Sequence, residues 1–436
     1  MNVRDTIFVI IYAALQFPAI AQPWVAVLVW VWIDYMNPHR LCYGFVHWAV
    51  PVALISSVVT FLSMAISSER IRFPFTRETV VLLLFVGWIS VTTIFALNPK
   101  DAQEQWATVV KIQVLIVVTL IVLQDAFRVQ ALVWTIVVSL GFYGIKGGVF
   151  TILKGGAHRV YGPLYSFIQD NNDIALALVT VIPLMRFMML RAGNRWMRWG
   201  MGVSIVLTGV AVLGSYSRGG LIGLAGMTLL MVLKSRKKLL FSALIVMAGL
   251  WMATLMPEEW FNRMNTISDY ENDGSAIGRI NAWRFAINVA NDRPLTGGGF
   301  KVFTPRMFRI YAPTNEYREA HSIYFRILGE HGYIGLGLFL LLAFLTWRSA
   351  TWIIKTARIA PELTWAGDLV SMTQVSLAAF GIGGAFLSVA YFDLPYHLMT
   401  IIVICKLHVR RHLFELEAKR SAPPTSVPVE VAVAYP

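Results

Sequence analysis

Hydrophobic residues fall along this chain in long runs, and only short polar breaks separate nearly all of them. Apolar runs occupy about 46–66, 79–97, 109–124, 128–152, 172–190, 196–214, 219–233, 239–256, 322–347, 367–391 and 395–408. A helical run near twenty residues crosses a hydrocarbon core of about 30 Å. Residues 6–36 add two shorter runs split by Pro18 and Pro23, readable as a tight helical hairpin or as one broken element. The pattern predicts an all-α, polytopic integral membrane protein with about twelve transmembrane helices.

One polar interval is long, from Pro257 to His321. Within it, Ser275–Asn291 repeats Ile277, Ile280, Trp283, Ile287 and Ala290 at three- and four-residue spacing, which predicts an amphipathic helix lying along the membrane surface. Asp292-Arg293-Pro294 should stop it, with a flexible Gly297-Gly298-Gly299 beyond. Thr304–Tyr311 reads as a second short helix with Pro305 in its first turn.

Composition agrees with the pattern. The chain of 436 residues is 57% hydrophobic and 14% charged, whereas soluble domains carry about a quarter charged residues. No cleavable leader is read, because the first apolar run lacks a small-residue cleavage site. A formal charge of +13 could signal nucleic acid, but its distribution assigns it to membrane topology instead. Arg70, Arg72 and Arg77 share one short loop; Arg186 to Arg198, Lys234 to Lys238, Arg348 to Arg358, and Lys406 to Arg420 form four further clusters. Alternation puts all five on one face, taken as cytoplasmic, and leaves 37–46, 98–108, 153–171, the Ser215–Gly220 turn, 257–321 and 392–396 outside. Cys42 and Cys405 then lie on opposite sides and form no disulfide. The expected organisation is a membrane domain over 1–420, with the 257–321 loop as an external subdomain, and a disordered Pro-rich cytoplasmic tail over 421–436.

Standard catalytic signatures are missing: no Walker loop, HExxH, Cys cluster, GxSxG or Asp-x-Asp pair. The acidic run at Asp269–Asp273 reads as solvated loop, so neither a metal nor another cofactor is expected. What remains is a set of external cations beside one histidine. Arg218, in Ser-Tyr-Ser-Arg-Gly-Gly, sits between two closely spaced apolar runs at the membrane edge. A guanidinium there requires a partner or a wet cavity, and its planar fork suits a diphosphate. Arg279 opens the amphipathic helix, where the helix N-terminus itself favours anions, whereas Arg284 reads as a solvated polar-face residue. His321 opens the next apolar run, and an imidazole at that boundary can accept a proton near neutral pH. Glu330 lies too far along the same helix to touch His321 and reads as structural or supporting. Arg159, in a loop able to bind phosphate or sugar, and Tyr311, ending the short second helix, complete the secondary candidates with Arg284 and Glu330. Asp170 to Asp173 read as a helix cap. Tyr391, Asp393, Tyr396 and His397 read as an interfacial belt.

At SYSRGG, the long loop and HSIYFRILGEHGYIG, the chain resembles the bacterial O-antigen ligase/polymerase superfamily, and within it the O-antigen ligases and exosortase-associated O-glycosylation ligases. DYMNPHR and LNPKDAQEQW, near the amino terminus, are similar to the latter group. The resemblance implies a metal-independent, inverting membrane glycosyltransferase of the GT-C type in the bacterial inner membrane, with its site facing the periplasm and its C-terminus cytoplasmic. It implies His321 as base, Arg218 and Arg279 on the diphosphate, a glycan donor on undecaprenyl diphosphate, and a lipid A–core acceptor. The expected partners are these substrates and membrane lipids, with no nucleic acid, and the expected state is a monomer. A polymerase joining two lipid-linked units, or a protein O-oligosaccharyltransferase, would use the same donor. A lipid or glycan transporter ranks third, because the polar groups gather on one face and no inverted repeat is visible.

Overall fold

The computed structural model describes residues 3–69, 72–235, 237–265, 274–312, 314 and 316–421. The Pro-rich tail from 422, the acidic run at 269–273, and Arg70 of the first basic cluster lie outside the described residues. Helix is the regular element throughout, in chain order α1 Val3–Ala21, α2 Pro23–Met36, α3 Phe45–Ala49, α4 Val52–Ile66, α5 Arg77–Ile94, α6 Pro99–Val122, α7 Ala126–Leu153, α8 Asn171–Arg191 and α9 Arg195–Gly214. There follow α10 Arg218–Lys234, α11 Lys238–Ala253, α12 Glu258–Asn265, α13 Gly274–Asp292, α14 Pro305–Tyr311, α15 Ile323–Thr356, α16 Thr364–Gly384 and α17 Leu394–Ser421. Among the described residues, seven helices (α1, α5 to α9 and α15) are long and apolar enough to cross a membrane, and α2 and α4 are shorter apolar helices. The protein is a polytopic, all-helical membrane protein.

The amino-terminal pair is a hairpin. Pro23 sits at the first position of α2, where its missing N–H costs nothing, and the Gln22 N–H closes onto Pro18 O at 2.9 Å. The start of α1 returns to the end of α2: Gly44 N–H donates to Asp5 Oδ1 at 3.3 Å, and Arg4 stacks on the Tyr43 ring. The expected span at 46–66 is interrupted by Pro51, which separates α3 from α4. At the other end of the bundle, α5, α15 and α17 are tied by Lys406 Nζ, which donates to Glu78 Oε1 at 2.8 Å and to Ser349 Oγ at 2.8 Å.

Three departures from the expected pattern shape the site face. First, α16 stops at Gly384, so residues 385–393 form an irregular turn where an apolar span was expected. Second, α15 is broken at Gly332, whose φ of 67° and ψ of −168° no side-chain-bearing residue adopts readily. Third, Gly297-Gly298-Gly299 is pinned rather than loose: Gly298 N–H donates to Gly329 O at 2.9 Å and Gly299 N–H to Glu330 O at 2.8 Å. The break and the triplet explain each other. Carbonyls released where α15 breaks need donors, and only a backbone without Cβ atoms approaches closely enough, since a Cβ on Gly297 would lie 2.6 Å from Gly332 N.

The amphipathic helix forms as α13, and its buried stripe is only partly the expected one. Ala290 of that set is buried together with Ala282, Phe285, Ala286 and Val289, and Ile280 and Trp283 are half-buried, while Ile277 and Ile287 remain 43% and 37% exposed. Phe285 decides this, stacking on Phe308 of α14 at 4.4 Å and meeting Phe303 at 5.0 Å. The second short helix begins with Thr304 capping Met307 N and Pro305 in its first turn, as the spacing predicts.

Candidate active site

The site is assembled around the entry to α15. His321 adopts φ of 41°, a left-handed conformation costing about 1–3 kcal/mol for a residue with a Cβ. Its backbone N–H donates to Ser388 Oγ at 3.0 Å. Ser388 is held from its other side by Arg326, whose Nη1 donates to Ser388 O at 2.8 Å. The irregular turn after α16 therefore sets the position of His321, and its side chain is left half-buried.

Trp283 fixes α13 against the same place. Its Nε1 donates to Ala320 O at 2.9 Å, and its ring stacks on Phe325 at 4.9 Å. One helical turn earlier on α13 is Arg279, and neighbouring Gly278 leaves room for the Arg318 side chain, which a Cβ there would meet at 3.1 Å. Burial, then the nearby Arg279 charge, hold the His321 pKa below its ordinary 6.5, against an upward pull from Glu319 and Asp170. The imidazole is therefore neutral near pH 7, with two guanidinium groups, Arg279 and Arg318, and two carboxylates in electrostatic range.

Arg218 opens α10, whose N-cap is Ser217, accepting from Gly220 N. Gly219 packs on Phe386 and Leu387, the two residues before Ser388, and Gly220 packs on Ala175 of α8. The start of α10 and the entry of α15 thus rest on one short turn. Tyr216 precedes Arg218 in a left-handed conformation, its hydroxyl donating to Gly156 O at 2.6 Å and its carbonyl accepting from Arg263 Nε at 3.0 Å. Arg159 lies over the Tyr216 ring at 5.8 Å, at the edge of this arrangement.

The other secondary candidates serve elsewhere. Tyr311 donates to Asp292 Oδ2 at 2.7 Å, joining α14 to the end of α13, and Arg284 is exposed on α13. Glu330 is buried with partners on three sides: Lys301 N–H at 3.1 Å, the Tyr391 hydroxyl, and Arg326 Nε at 3.5 Å. His331, equally buried, pairs with Thr92 Oγ1 at 2.7 Å and with the Tyr391 hydroxyl at 2.7 Å. Tyr391, Asp393, Tyr396 and His397 are all buried, so they form internal polar structure and not an interfacial belt. Asp170 does cap α8, accepting from Asn172 N at 2.8 Å. Sequence reasoning missed that the same carboxylate reaches the field of His321, and it missed Ser388, Arg326 and Glu319 altogether. The only available signal for Arg326 was its place five residues after His321 in an apolar run.

Among the described residues, no three His, Cys, Asp or Glu side chains come together as metal ligands. The geometry offers a proton acceptor that is neutral near pH 7, cations on adjoining elements, and carboxylates to stabilise the imidazolium once it forms. Residues 203–340 match the model of the family described as O-antigen ligase, and residues 3–192 match that of a family of unknown function. No curated protein matches the chain. The first match spans Arg218, Arg279, His321 and Glu330; Arg159 falls in the second.

Proposed function

For a chain that residues 203–340 identify as a member of the O-antigen ligase/polymerase superfamily of membrane glycosyltransferases, we propose the ligase reaction at His321. A glycan is transferred from undecaprenyl diphosphate to a lipid A–core acceptor on the periplasmic side of the inner membrane. The observation that carries this reading is the His321 imidazole, kept neutral by burial and Arg279, on a strained backbone pinned to Ser388.

The polyprenyl chain lies in the bilayer, and Arg218 and Arg279 hold its diphosphate. His321 takes the proton of the acceptor hydroxyl as that oxygen attacks the anomeric carbon. The bond from that carbon to the diphosphate oxygen breaks, and its electron pair leaves with the diphosphate, whose growing charge the two guanidinium groups stabilise. A single displacement inverts the anomeric centre. The diphosphate is a good leaving group, so the step requires neither a general acid nor a metal.

The test is transfer by the reconstituted protein from a defined lipid-linked glycan, with chelator present. The His321→Ala variant should keep donor binding and lose transfer, while Arg218→Ala should weaken both. Full transfer by H321A would remove the base assignment. Supplying donor alone and obtaining longer chains would identify a polymerase, and transfer to a protein acceptor would identify an oligosaccharyltransferase.

A further inference from the structure

The match to a family of unknown function covers α2, α4 and α6, none of which takes part in the reaction just described. Both α4 and α6 pack on α2, yet they make little contact with each other. Between them lies a cavity of about 910 Å³, toward the upper end of the roughly 300–1,000 Å³ usual for small-molecule sites. Its α4 wall carries Leu54 and Phe61, which are 61% and 47% exposed. At the inner end Phe61 meets Trp30 of α2 edge to face at 6.2 Å. The cleft therefore opens sideways between two apolar helices, toward the acyl chains of the bilayer.

One charge in the wall is left without a counter-charge. On α6, Thr108, Lys111 and Leu115 recur at helical spacing along the cavity, and Lys111 is exposed. It makes no hydrogen bond or ion pair with any described residue. The other ionic groups of the wall are already engaged. Arg40 lies over the Tyr165 ring at 5.4 Å, and its Nη1 donates to His47 O at 3.3 Å. Asp34 and Asp393 are hydrogen-bonded to each other, and Asp393 to Tyr35 as well. Polar residues open α6, and its apolar stretch begins at Trp106, about 7 Å along the helix before Lys111. An ammonium inside that stretch calls for an anion or for water, and its stem can return it to headgroup level. Lysine offers three donors and no acceptor, so an acceptor-only phosphate suits it. A phosphodiester that carries acyl chains supplies both the charge and the apolar tail. A free anion would leave the sideways opening unfilled, and a neutral lipid would leave Lys111 uncompensated.

We infer that the cleft between α4 and α6 holds one anionic phospholipid, its phosphate on Lys111 and an acyl chain against Leu54 and Phe61. The site stands on the cleft alone and does not depend on the transfer reaction. The test is native mass spectrometry of the full-length protein, delipidated in detergent and then supplied with phosphatidylglycerol or phosphatidylcholine. One phosphatidylglycerol should stay bound at collision energies that strip phosphatidylcholine, and an excess of sn-glycerol 3-phosphate should not displace it. Lys111→Ala should lower that retention about fivefold, and Lys111→Arg should preserve it. Lys100→Ala, at an exposed lysine of the same helix outside the cleft, should change nothing. In thermal melts phosphatidylglycerol should raise the Tm of the unaltered protein by about 3 °C or more, and that rise should be lost in K111A. Without lipid the two should melt alike, since the Lys111 side chain is exposed. Equal retention of the two lipids, or displacement by sn-glycerol 3-phosphate, would overturn the phospholipid site. Retention unchanged in K111A, or lowered as much by K100A, would reduce it to the general attraction of a basic protein for an anionic bilayer.

Discussion

His321 and His331 share one segment of chain, yet their surroundings make them opposites. His331 is fully buried, and both ring nitrogens are engaged, by Thr92 and Tyr391. His321 is half-buried, held by its backbone and not through its ring, on a conformation that costs energy to maintain. The first imidazole is spent on structure, and the second is positioned and left available. A histidine's role is set by what its ring nitrogens already bind, and that depends on residues far away in sequence.

The comparison breaks most sharply on substitution. H321A should lower transfer by about 10²–10⁴-fold, the usual loss for a general base, with little change in thermal unfolding. An equal loss from H331A without destabilisation would reverse the assignment. Gly332→Ala comes next. Its Cβ would lie 2.5 Å from Leu295 O at φ of 67°, so destabilisation above about 2 kcal/mol should appear in detergent melts. H331A should cost about 1–3 kcal/mol by stranding Thr92 and the Tyr391–Glu330 pair, while the folded fraction keeps most of its turnover. The smallest effect is on pH. Transfer needs neutral His321, so activity should hold as pH falls past 6.5 and decline only through the lowered pKa. Glu319→Gln removes an upward pull and should move that acid limb lower still, measured as kcat/KM against pH.

Much of the frame was legible from spacing alone. Helices at 99–122, 126–153, 171–191 and 195–214 follow the apolar runs, and Thr304-Pro305 announced α14. Periodicity found α13 and placed Ala290 in its core but missed Phe285, because two apolar stripes run along the helix and the one chiefly buried depends on Phe308, more than twenty residues away. It failed at 385–391 because an apolar run records hydrophobicity and not where a helix ends. His321 was visible as a polar residue at a boundary, while its partners Ser388 and Asp170 come from two other hydrophobic hairpins. Gly297-Gly298-Gly299 looked like slack because glycine's freedom and glycine's close fit are the same letter. Only the carbonyls opposite distinguish them.

The hairpin of α1 and α2 has a topological consequence. Asp5 rests beside Gly44, in a stretch that the basic clusters assign to the outside, while Lys406 in the middle of α17 rests against Glu78 at the start of α5, beside a basic cluster assigned to the cytoplasmic face. A thread entering at one surface and leaving at the other traverses the slab an odd number of times. If the two termini lie on those opposite surfaces, reporter fusions there should give opposite compartment signals, and matching signals would require an even-numbered layout.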